Sequence, residues 1–268
     1  MGVEGEVIRE VARVLLRSRY AVAFTGAGVS TESGIPDFRG PSGIWTKNPE
    51  AERRAYEVYG RFLRDPKAYW EEAVSRPSTL GDLERVQPNP SHYALAELEK
   101  MGILKCVITQ NIDNLHQKAG SRNVIEFHGN AFKLRCVNCG KRYGRSEFDV
   151  KGIVGRGDVP RCRDCGHPLK SDVVYFGEPI PHDAYKKSLE EVRKCDAMIV
   201  AGTSAVVYPA AYLPRFAKQK PNPAVVIEVN AEPTPLTIEV SDYFIQGMTG
   251  NILPKIVEEI KCLAGGTP

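Results

Sequence analysis

Seven cysteines occur in the chain of 268 residues, and four of them are spaced as metal ligands. Cys136 and Cys139 form one Cys-x2-Cys pair, Cys162 and Cys165 form a second, and 22 residues separate the two pairs. Two such pairs, each followed by glycine, can bring four thiolates into a tetrahedron around one zinc ion. A closed shell of four thiolates leaves no ligand position for chemistry. The spacing therefore predicts a structural zinc, whose binding contributes on the order of 10 kcal/mol to folding.

Other uses of the cysteines fit less well. Two disulfides are disfavoured in a cytosolic chain, and a redox motif needs a single Cys-x2-Cys pair beside a βαβ unit. His167 follows the second pair, but four thiolates already complete the shell. Cys106, Cys195 and Cys262 lie in apolar runs and are predicted to be inert core residues.

A glycine-containing turn follows the first apolar run of the chain. The stretch AFTGAGVSTESGIPDFRG (23–40) begins like a dinucleotide-binding turn at Gly26-Ala27-Gly28, but Thr31 stands where the third glycine of the usual fingerprint is expected. An acidic, an aromatic and a basic residue then follow as Asp37-Phe38-Arg39. That run alone would be read as an ordinary surface turn.

His128 is the candidate general base among the five histidines. It stands at the end of a short strand, VIEFHG (124–129), where the chain is expected to emerge beside the zinc insertion and face a crevice. His92, His116 and His182 lie within predicted helices or at their starts. They are expected to be surface residues or core residues with satisfied hydrogen bonds.

The elements that must position these residues alternate between strand and helix. Short β-rich apolar runs at 20–26, 103–109, 197–204 and 224–230 are separated by helical patterns such as 90–102, where Pro90 suits a first turn and Gly102 a helix end. This alternation predicts an α/β fold, a Rossmann-like parallel sheet with helices on both faces. Ligands bind at the carboxyl ends of such strands, where GAGVS, TQNID, GTSAV and VNAEP fall.

Two stretches interrupt the alternation and are predicted to form a smaller lobe. Residues 41–89 are rich in charge and proline, and residues 130–175 hold most of the cysteines. We expect a single catalytic domain over 1–268. Its Rossmann-like lobe would comprise 1–40, 90–129 and 178–268, and its small lobe a helical insertion (41–89) and a zinc-ribbon insertion (130–177).

Composition and charge exclude several classes of protein. A hydrophobic content of 42% is that of a globular chain, and 36 basic against 33 acidic residues give a net charge of only +3 without a basic block. Direct binding of nucleic acid is therefore not expected. The first 20 residues carry charges throughout, which excludes a signal peptide and a membrane span and predicts a cytoplasmic protein without membrane contact.

In combination, the motifs resemble those of the sirtuin family of NAD-dependent protein-lysine deacylases. The segments GAGVSTESGIPDFRG, TQNIDNLH, EFHGN, the paired Cys-x2-Cys motifs, VVYFGE, GTSAVV and VIEVNAEP occur in the order and approximate spacing of that family. The resemblance spans residues 4–262 and is closest to the short prokaryotic and archaeal members, which consist of little more than the catalytic core.

The resemblance implies a binding site for NAD as co-substrate. The turn Gly26-Ala27-Gly28 would approach the pyrophosphate through backbone N–H groups. On the loop that follows, Arg39 would pair with phosphate, Phe38 would cover the reacting ribose and Asp37 would help to hold the loop. The other implied cofactor-binding residues are Ser30, Gln110, Asn111, Ile112, Asp113, Gly202, Thr203, Ser204, Asn230, Ala231 and Glu232.

Within this set the resemblance assigns individual contacts. Asn111 would hold the ribose and an ordered water, and the Asp113 carboxylate would accept a hydrogen bond from the carboxamide. Asn230 would contact the adenine ribose, with Glu228, two residues earlier on the same face, as the alternative.

The implied reaction transfers the acyl group of an acyl-lysine to ADP-ribose. His128 would act as general base on the ribose hydroxyls, with Asn111 as the second catalytic residue, and nicotinamide and O-acyl-ADP-ribose would be released. The substrate would be acetylated lysine in proteins, added as a strand between two extended segments. The implied peptide-binding residues are Val174, Phe176, Gly177, Glu178, Val206 and Val207.

Two other functions are weighed against this one. A nicotinamide-dependent oxidoreductase would show the third glycine and an acidic residue about 20 positions further on, whereas 43–49 holds no acid. A zinc-ribbon binding module would need a basic surface. Basic side chains do lie near the cysteines, so approach to DNA-associated substrates is a hypothesis: Arg135, Lys141, Arg142, Arg145, Arg161 and Arg163.

The acyl group is expected to be uncharged. Sirtuins that prefer succinyl or malonyl lysine carry a Tyr-x-x-Arg pair that binds the acyl carboxylate. Alignment on Asp65-Pro66 and Trp70 places Ala73 where the tyrosine is expected and Arg76 where the arginine is expected, with Tyr69 or Tyr59 as substitutes for the hydroxyl. Acetyl-lysine should therefore be the better substrate.

Overall fold

The apolar runs predicted as strands form the centre of the larger of two sheets in the computed structural model, which describes residues 3–40, 43–76 and 80–265. Its strands are β1 (Ala21–Thr25), β2 (Leu104–Thr109), β3 (Val124–Glu126), β7 (Ala197–Ala201), β8 (Val225–Asn230) and β9 (Tyr243–Gln246). They are all parallel and run in the order β3-β2-β1-β7-β8-β9. This is the order of a doubly wound nucleotide-binding sheet, with its switch point between β1 and β7. The predicted α/β class is confirmed.

The helices lie in the connections between these strands and in both inserted stretches. Their bounds are α1 (Val3–Arg17), α2 (Ile44–Lys47), α3 (Pro49–Ala55), α4 (Val58–Arg64), α5 (Pro66–Ser75), α6 (Pro90–Lys100), α7 (Leu115–Lys118), α8 (Val150–Gly155), α9 (His182–Lys194), α10 (Tyr212–Gln219), α11 (Pro235–Glu239) and α12 (Thr249–Ala264). Two 3₁₀ segments lie at Ala27–Ser33 and Arg145–Glu147 in the described ranges. No helix within the described ranges combines the length and the apolar character needed to cross a membrane.

The α6 helix shows how local sequence sets its ends. Asn89 caps the helix by accepting the Ser91 N–H at 2.9 Å, and Pro90 stands in the first turn, where its missing N–H costs nothing. Gly102, with φ of 74°, turns the chain back after Lys100 as predicted.

Alternate residues of β1 face the two cores of the large lobe. Ala21 and Ala23 pack with side chains of α1, α6 and α12, whereas Val22 and Phe24 pack with side chains of α9 and α10 on the other face. Strands buried on both faces read as continuous apolar runs, which is why the sequence identified them.

A second, antiparallel sheet belongs to the small lobe. It consists of β4 (Gly129–Cys136), β5 (Arg142–Gly144) and β6 (Leu169–Val173), in the order β5-β4-β6. Phe62 and Trp70 from the first inserted stretch share an apolar cluster with Leu134 of this sheet, and the Trp70 indole donates to the Leu169 carbonyl at 2.7 Å. Side chains from both inserted stretches thus pack together, while the boundaries of the lobes stay a prediction.

Two sequence-based expectations differ from the structure. The edge strand β9 was not predicted, because a run of four residues that is only partly buried gives a weak periodic signal. Cys106 and Cys195 are buried as expected, but Cys262 is exposed, so its assignment to the core is wrong. The helical period of α12 turns Ile260 inward and leaves Cys262 on the outer face.

Candidate active site

The carboxyl ends of β1, β2, β7 and β8 open into a cavity of about 1490 Å³ that the small lobe closes from the other side. Every cofactor-binding, catalytic and peptide-binding residue predicted above contributes to its lining. The sequence clusters predicted at the strand ends therefore meet in one cleft, as expected for an open α/β sheet. Their individual roles stay predictions, since position alone does not show what a side chain binds.

The glycines of the first turn allow two turns to touch. A β-carbon added to Gly28 would lie 2.8 Å from the Gly202 Cα, and one added to Gly26 would lie 2.7 Å from the Thr203 Cβ. The Gly26 and Gly28 N–H groups donate to the carbonyls of Ala201 (3.2 Å) and Gly202 (2.8 Å). These two N–H groups hold the turns together rather than facing a ligand.

That arrangement leaves fewer main-chain N–H groups of this turn free for the expected contact with the pyrophosphate. Of the three N–H groups in Gly26-Ala27-Gly28, only that of Ala27 has no acceptor among the described residues. The glycines are thus required first by the packing of the β1 turn on the β7 turn. The sequence showed a need for small residues but not which neighbour imposes it.

Three polar side chains form a chain of hydrogen bonds at the bottom of the cleft. Asn111 Nδ2 donates to Ser30 Oγ at 3.0 Å, and Ser30 Oγ donates to Asp113 Oδ2 at 2.7 Å. The other Asp113 oxygen accepts the Leu115 N–H at 2.9 Å. The Asn111 and Asp113 side chains are thereby fixed in orientation before any ligand enters. Gln110, the residue before Asn111, donates its amide to Thr203 Oγ1 at 2.9 Å.

Two buried histidines lie beneath this chain of hydrogen bonds, and each is close to a hydroxyl group. His92 Nε2 lies 3.5 Å from Ser30 Oγ, and its Nδ1 accepts the Asn89 N–H at 3.3 Å. His116 Nε2 lies 2.9 Å from Thr25 Oγ1. Burial lowers the pKa of His92 to about 4 and that of His116 to about 3, so both rings are neutral at neutral pH. Both are core residues rather than surface residues. The expected hydrogen bonds are formed by both ring nitrogens of His92, whereas the buried Nδ1 of His116 has no partner among the described residues.

His128 presents one ring nitrogen to the cleft. Its Nδ1 lies 3.2 Å from the Gln110 carbonyl oxygen, and because a carbonyl only accepts, Nδ1 carries the proton. The lone pair is therefore on Nε2. Burial lowers the pKa of His128 to about 4 although the Gln110 carbonyl opposes the shift, so the ring is neutral and able to take a proton at neutral pH.

The segment Asp37-Phe38-Arg39 is held by contacts that the sequence did not show. The carbonyls of Asp37 and Phe38 accept the N–H groups of Ile44 (2.8 Å) and Trp45 (2.9 Å). The Phe38 ring packs on the Trp45 ring at 4.7 Å, and the Arg39 guanidinium lies 4.5 Å from the centre of the same indole.

Further partners of this segment come from other elements. Arg39 forms an ion pair with Glu52 of α3 at 2.9 Å, and Phe176 packs against both Trp45 (5.4 Å) and Tyr56 (4.3 Å). The predicted cofactor loop and the predicted peptide segment therefore share one aromatic cluster. The only indication of this cluster in the sequence was the presence of aromatic residues in a charged, proline-rich stretch.

Asn230, predicted to contact the adenine ribose, lies at the end of β8 and lines the cleft. Its Nδ2 donates to the Thr203 carbonyl at 3.3 Å, beside the β7 turn. Glu228, the alternative, is buried, and its carboxylate accepts three hydroxyl groups, those of Thr234, Thr237 and Ser241. A carboxylate used in this way orders the loop after β8 and has no free edge for a ribose.

The two segments expected to hold a peptide face each other across the cleft. Val174 follows β6, and its N–H donates to the His128 carbonyl at 2.9 Å. Within the described residues, the Val174 carbonyl, the Phe176 N–H and the Val206 N–H have no hydrogen-bond partner. Unpaired main-chain groups on extended segments are what an added strand requires.

The four predicted metal ligands form a cluster in the small lobe. Their Sγ atoms all lie within 4.8 Å of one another, with Cys136 and Cys165 at 3.5 Å and Cys139 and Cys162 at 3.6 Å. Zinc–sulfur bonds of about 2.3 Å in a tetrahedron place sulfur atoms about 3.8 Å apart. The thiolates fit a zinc ion, and the separations exclude disulfide bonds between them.

Comparison with known proteins matches both the sequence and the fold. The sequence profile of the Sir2 family matches residues 26–209. The NAD-dependent protein deacylase 2 of Archaeoglobus fulgidus is 50% identical over 257 residues, which are 96% of this chain and 97% of the relative. The NAD-dependent protein deacylase of Pyrococcus furiosus is 46% identical over 255 residues, which are 95% and 98% of the two chains.

Solved structures give the same result. A Sir2 homologue in complex with NAD is 40% identical, with a TM-score of 0.76 over 95% of this chain and 94% of the other. Sir2Af2 bound to a myristoylated histone peptide is 42% identical, with a TM-score of 0.68 over 98% of this chain and 99% of the other.

Proposed function

The chain belongs to the Sir2 family, and on this premise we propose that it removes acyl groups from lysine side chains of proteins and consumes NAD in doing so. One observation carries the proposal. The neutral His128 ring, with its lone pair on Nε2, lines the same cleft as the Asn111–Ser30–Asp113 chain and the extended peptide segments. Relatives named as deacylases and a relative solved with NAD support the same reaction.

The bottom of the cleft orients the reacting end of NAD, which supplies a ribose carbon that accepts the acyl oxygen as nicotinamide leaves. The Asn111 and Asp113 side chains are already oriented by hydrogen bonds through Ser30, so they need not rearrange when NAD binds. The aromatic pair Phe38 and Trp45 covers this region and reduces access of water to the reacting centre.

His128 moves the proton. Because its Nδ1–H is bound to the Gln110 carbonyl, the ring cannot rotate freely, and Nε2 would take a proton from a ribose hydroxyl as that oxygen attacks the acyl carbon. One water molecule would then complete the release of the lysine amine from that carbon, which leaves the acyl group on the ribose oxygen. The carbonyl also accepts a hydrogen bond from the imidazolium that forms. Without the hydrogen bond to the Gln110 carbonyl, neither the tautomer nor the orientation of the ring would be fixed.

Recognition of the substrate rests on the main chain more than on side chains. The unpaired groups of Val174, Phe176 and Val206 pair with an extended peptide whose lysine enters the cleft toward His128. Backbone pairing tolerates many sequences, so protein lysines in different contexts are substrates. The relative bound to a myristoylated histone peptide is consistent with such breadth.

The zinc ion holds the small lobe together and takes no part in the reaction. Cys136, Cys139, Cys162 and Cys165 fill a tetrahedral shell, so no position is left for a water molecule or a substrate. Their role is to order β4 and β6, which lead into His128 and the peptide segment.

The structure lends little support to a preference for DNA-associated substrates. Five of the six basic side chains near the cysteines lie in ion pairs with acidic residues, which neutralise the positive surface: Arg135, Lys141, Arg142, Arg161 and Arg163. Equal turnover of an acetylated DNA-binding peptide with and without duplex DNA at low salt would favour general protein lysines.

The proposal is tested by incubating the protein with NAD and an acetyl-lysine peptide, with the unacetylated peptide as control. We expect nicotinamide release that requires the acetyl group and no rise in NADH absorbance. A nicotinamide-dependent oxidoreductase would give NADH without nicotinamide release, and that result would contradict the proposal.

A further inference from the structure

A buried group of charged side chains lies directly behind the segment proposed to receive the peptide. This group, called the ion group below, consists of Arg135 on β4, Arg142 on β5, Lys170 and Asp172 on β6, and Glu178. The side chains of Lys170 and Asp172 are fully buried, and that of Glu178 is 3% exposed. Burying charges is unfavourable unless each is paired, and well-packed apolar residues often give equal stability. The position of the ion group points to a role other than stability.

Lys170 uses all its hydrogen-bonding capacity within this group. Its Nζ donates to the Ser171 carbonyl at 2.7 Å and to the Val173 carbonyl at 2.6 Å, and it lies 3.1 Å from Glu178 Oε2. An ammonium ion has three donors, and three acceptors surround this one. Burial lowers the pKa of Lys170 to about 8, and the charge of Glu178 opposes that shift.

Glu178 connects this ammonium ion to the turn of the peptide segment. Its Oε2 also accepts the Tyr175 N–H at 3.0 Å, and its Oε1 is bound by Arg135. The Glu178 N–H in turn donates to the Tyr175 carbonyl at 3.0 Å. The Glu178 carboxylate therefore points into the small lobe and fixes the backbone of 175–178, while its main chain lines the cleft.

The same stretch of backbone is fixed to the catalytic histidine. Val173 pairs with Gly129, and the Val174 N–H donates to the carbonyl of His128 itself. Lys170 thus binds the chain at Val173 and, through Glu178, at Tyr175, which are the two residues on either side of Val174. The segment between these fixed points carries the unpaired Val174 carbonyl that faces the peptide.

We propose that Lys170 is a positioning residue for the substrate peptide, whose ammonium ion holds residues 173–178 as a preformed edge for strand addition. A preformed edge lowers the entropy lost when the peptide binds, so it improves affinity for the peptide without touching it. This inference rests on the proposed function, since it concerns how the deacylase binds its acyl-lysine substrate. It predicts an effect on peptide binding that is separate from NAD binding.

The test compares Lys170→Met with Lys151→Met, which makes the same change at an exposed position of the small lobe. KM for an acetyl-lysine peptide and KM for NAD are measured separately, together with zinc content and Tm. We expect Lys170→Met to raise the peptide KM about tenfold or more. Its NAD KM should stay within about twofold of that of the unmodified protein. Lys170→Arg, which keeps the charge, should recover part of the loss, and Lys151→Met should change neither KM.

An unchanged peptide KM in folded, zinc-containing Lys170→Met would overturn the proposal, as would an equal rise of both KM values. If Lys170→Met does not fold, Lys170→Gln decides, because it removes the ammonium ion beside Glu178 but keeps a polar side chain at the buried position. A raised peptide KM in that variant supports the role of Lys170, and an unchanged one refutes it. Nicotinamide release by the unmodified protein tests the deacylase activity independently of these variants.

Discussion

At the residue scale, the proposed chemistry depends on one histidine with a fixed tautomer. The Gln110 carbonyl accepts the Nδ1 proton of His128, and burial keeps the ring neutral. The other buried histidines, His92 and His116, contact hydroxyl groups below the cleft and do not line it. Among the five histidines, His128 is the one whose position suits a general base.

Replacing His128 by alanine should therefore remove catalysis without removing cofactor binding. We expect His128→Ala to lower the rate of deacylation about 10²- to 10⁴-fold, the usual contribution of a general base. The affinity for NAD, measured by a thermal shift or calorimetric titration, should stay nearly unchanged. His182→Ala, at an exposed histidine, is the matched control. Near-normal turnover of His128→Ala would remove this residue from the mechanism.

The sequence identified this residue but not its environment. His128 could be selected because the sequence predicts a short strand that ends there before a glycine, and strand ends face the cleft. In the structure β3 ends at Glu126, and His128 lies in the turn before β4. The contact between its ring and the Gln110 carbonyl joins two segments whose relative placement only the folded sheet determines. The burial of Lys170 and Glu178 could not be predicted either, because charged residues are usually exposed.

At the scale of elements, the small lobe depends on the four cysteines. Its sheet has only three strands, and its apolar cluster is small. A segment of this kind gains much of its folding free energy from the metal.

Removal of zinc should accordingly unfold this lobe and abolish activity. Elemental analysis should find about one zinc per chain, and a strong chelator or Cys136→Ala should remove both the zinc and the deacylation. Cys262→Ala, at an exposed cysteine outside the cluster, should change neither. A protein that lacks zinc when purified without chelator, yet is folded and active, would refute the four-thiolate site.

Residues at the end of the α5 helix are predicted to set the preference for the acyl group. Ala73 and Arg76 line the cleft as the alignment predicted, but the Arg76 guanidinium is already paired with Glu72, which also binds Arg61. The Tyr69 hydroxyl, a suggested substitute, is bonded to that of Tyr175 at 2.8 Å. A carboxylate on the acyl group would thus find neither partner free.

We therefore expect acetyl-lysine to be the better substrate. Succinyl-lysine in the same peptide should have a kcat/KM lower by about tenfold or more, because its carboxylate would be buried without adequate hydrogen bonds. Comparison of the two acylated forms of one peptide measures this directly. A preference for succinyl-lysine would show that the Arg76–Glu72 pair opens to receive the carboxylate.

The buried strands of the large lobe and the α6 helix could be predicted from the sequence, whereas the edge strand β9 could not. Fully buried strands such as β1 and helices with clear caps such as α6 follow from hydrophobic runs and from Pro90 and Gly102. The edge strand β9 and the packing of Trp70 on β6 depend on partners distant in sequence. Local periodicity carries no information on such partners.

At the scale of the whole molecule, three histidines with lowered pKa values make stability dependent on pH. Burial lowers the pKa values of His92 and His128 to about 4 and that of His116 to about 3, from an ordinary value of 6.5. Between the ordinary pKa and these lowered values, the three histidines bind protons in the unfolded chain but not in the folded chain. Stability is therefore present above pH 6.5 and is lost as the pH falls toward 4.

Denaturant unfolding at about pH 7 and about pH 5 measures this loss. We expect a clear fall in the free energy of unfolding at the lower pH. In His116→Gln the difference between the two pH values should shrink, because one of the three groups is gone, whatever the absolute stability of the variant. An unchanged difference would mean that His116 does not contribute.

The two lobes meet at the cleft, and the account as a whole requires that NAD be cleaved as the lysine is freed. The most direct test is the balance of products after partial turnover of one acetyl-lysine peptide with NAD, followed by mass spectrometry. We predict one nicotinamide and one O-acetyl-ADP-ribose for each lysine deacetylated. Free acetate formed from the peptide while NAD stays intact would contradict the account, because it would show direct hydrolysis without transfer to ADP-ribose.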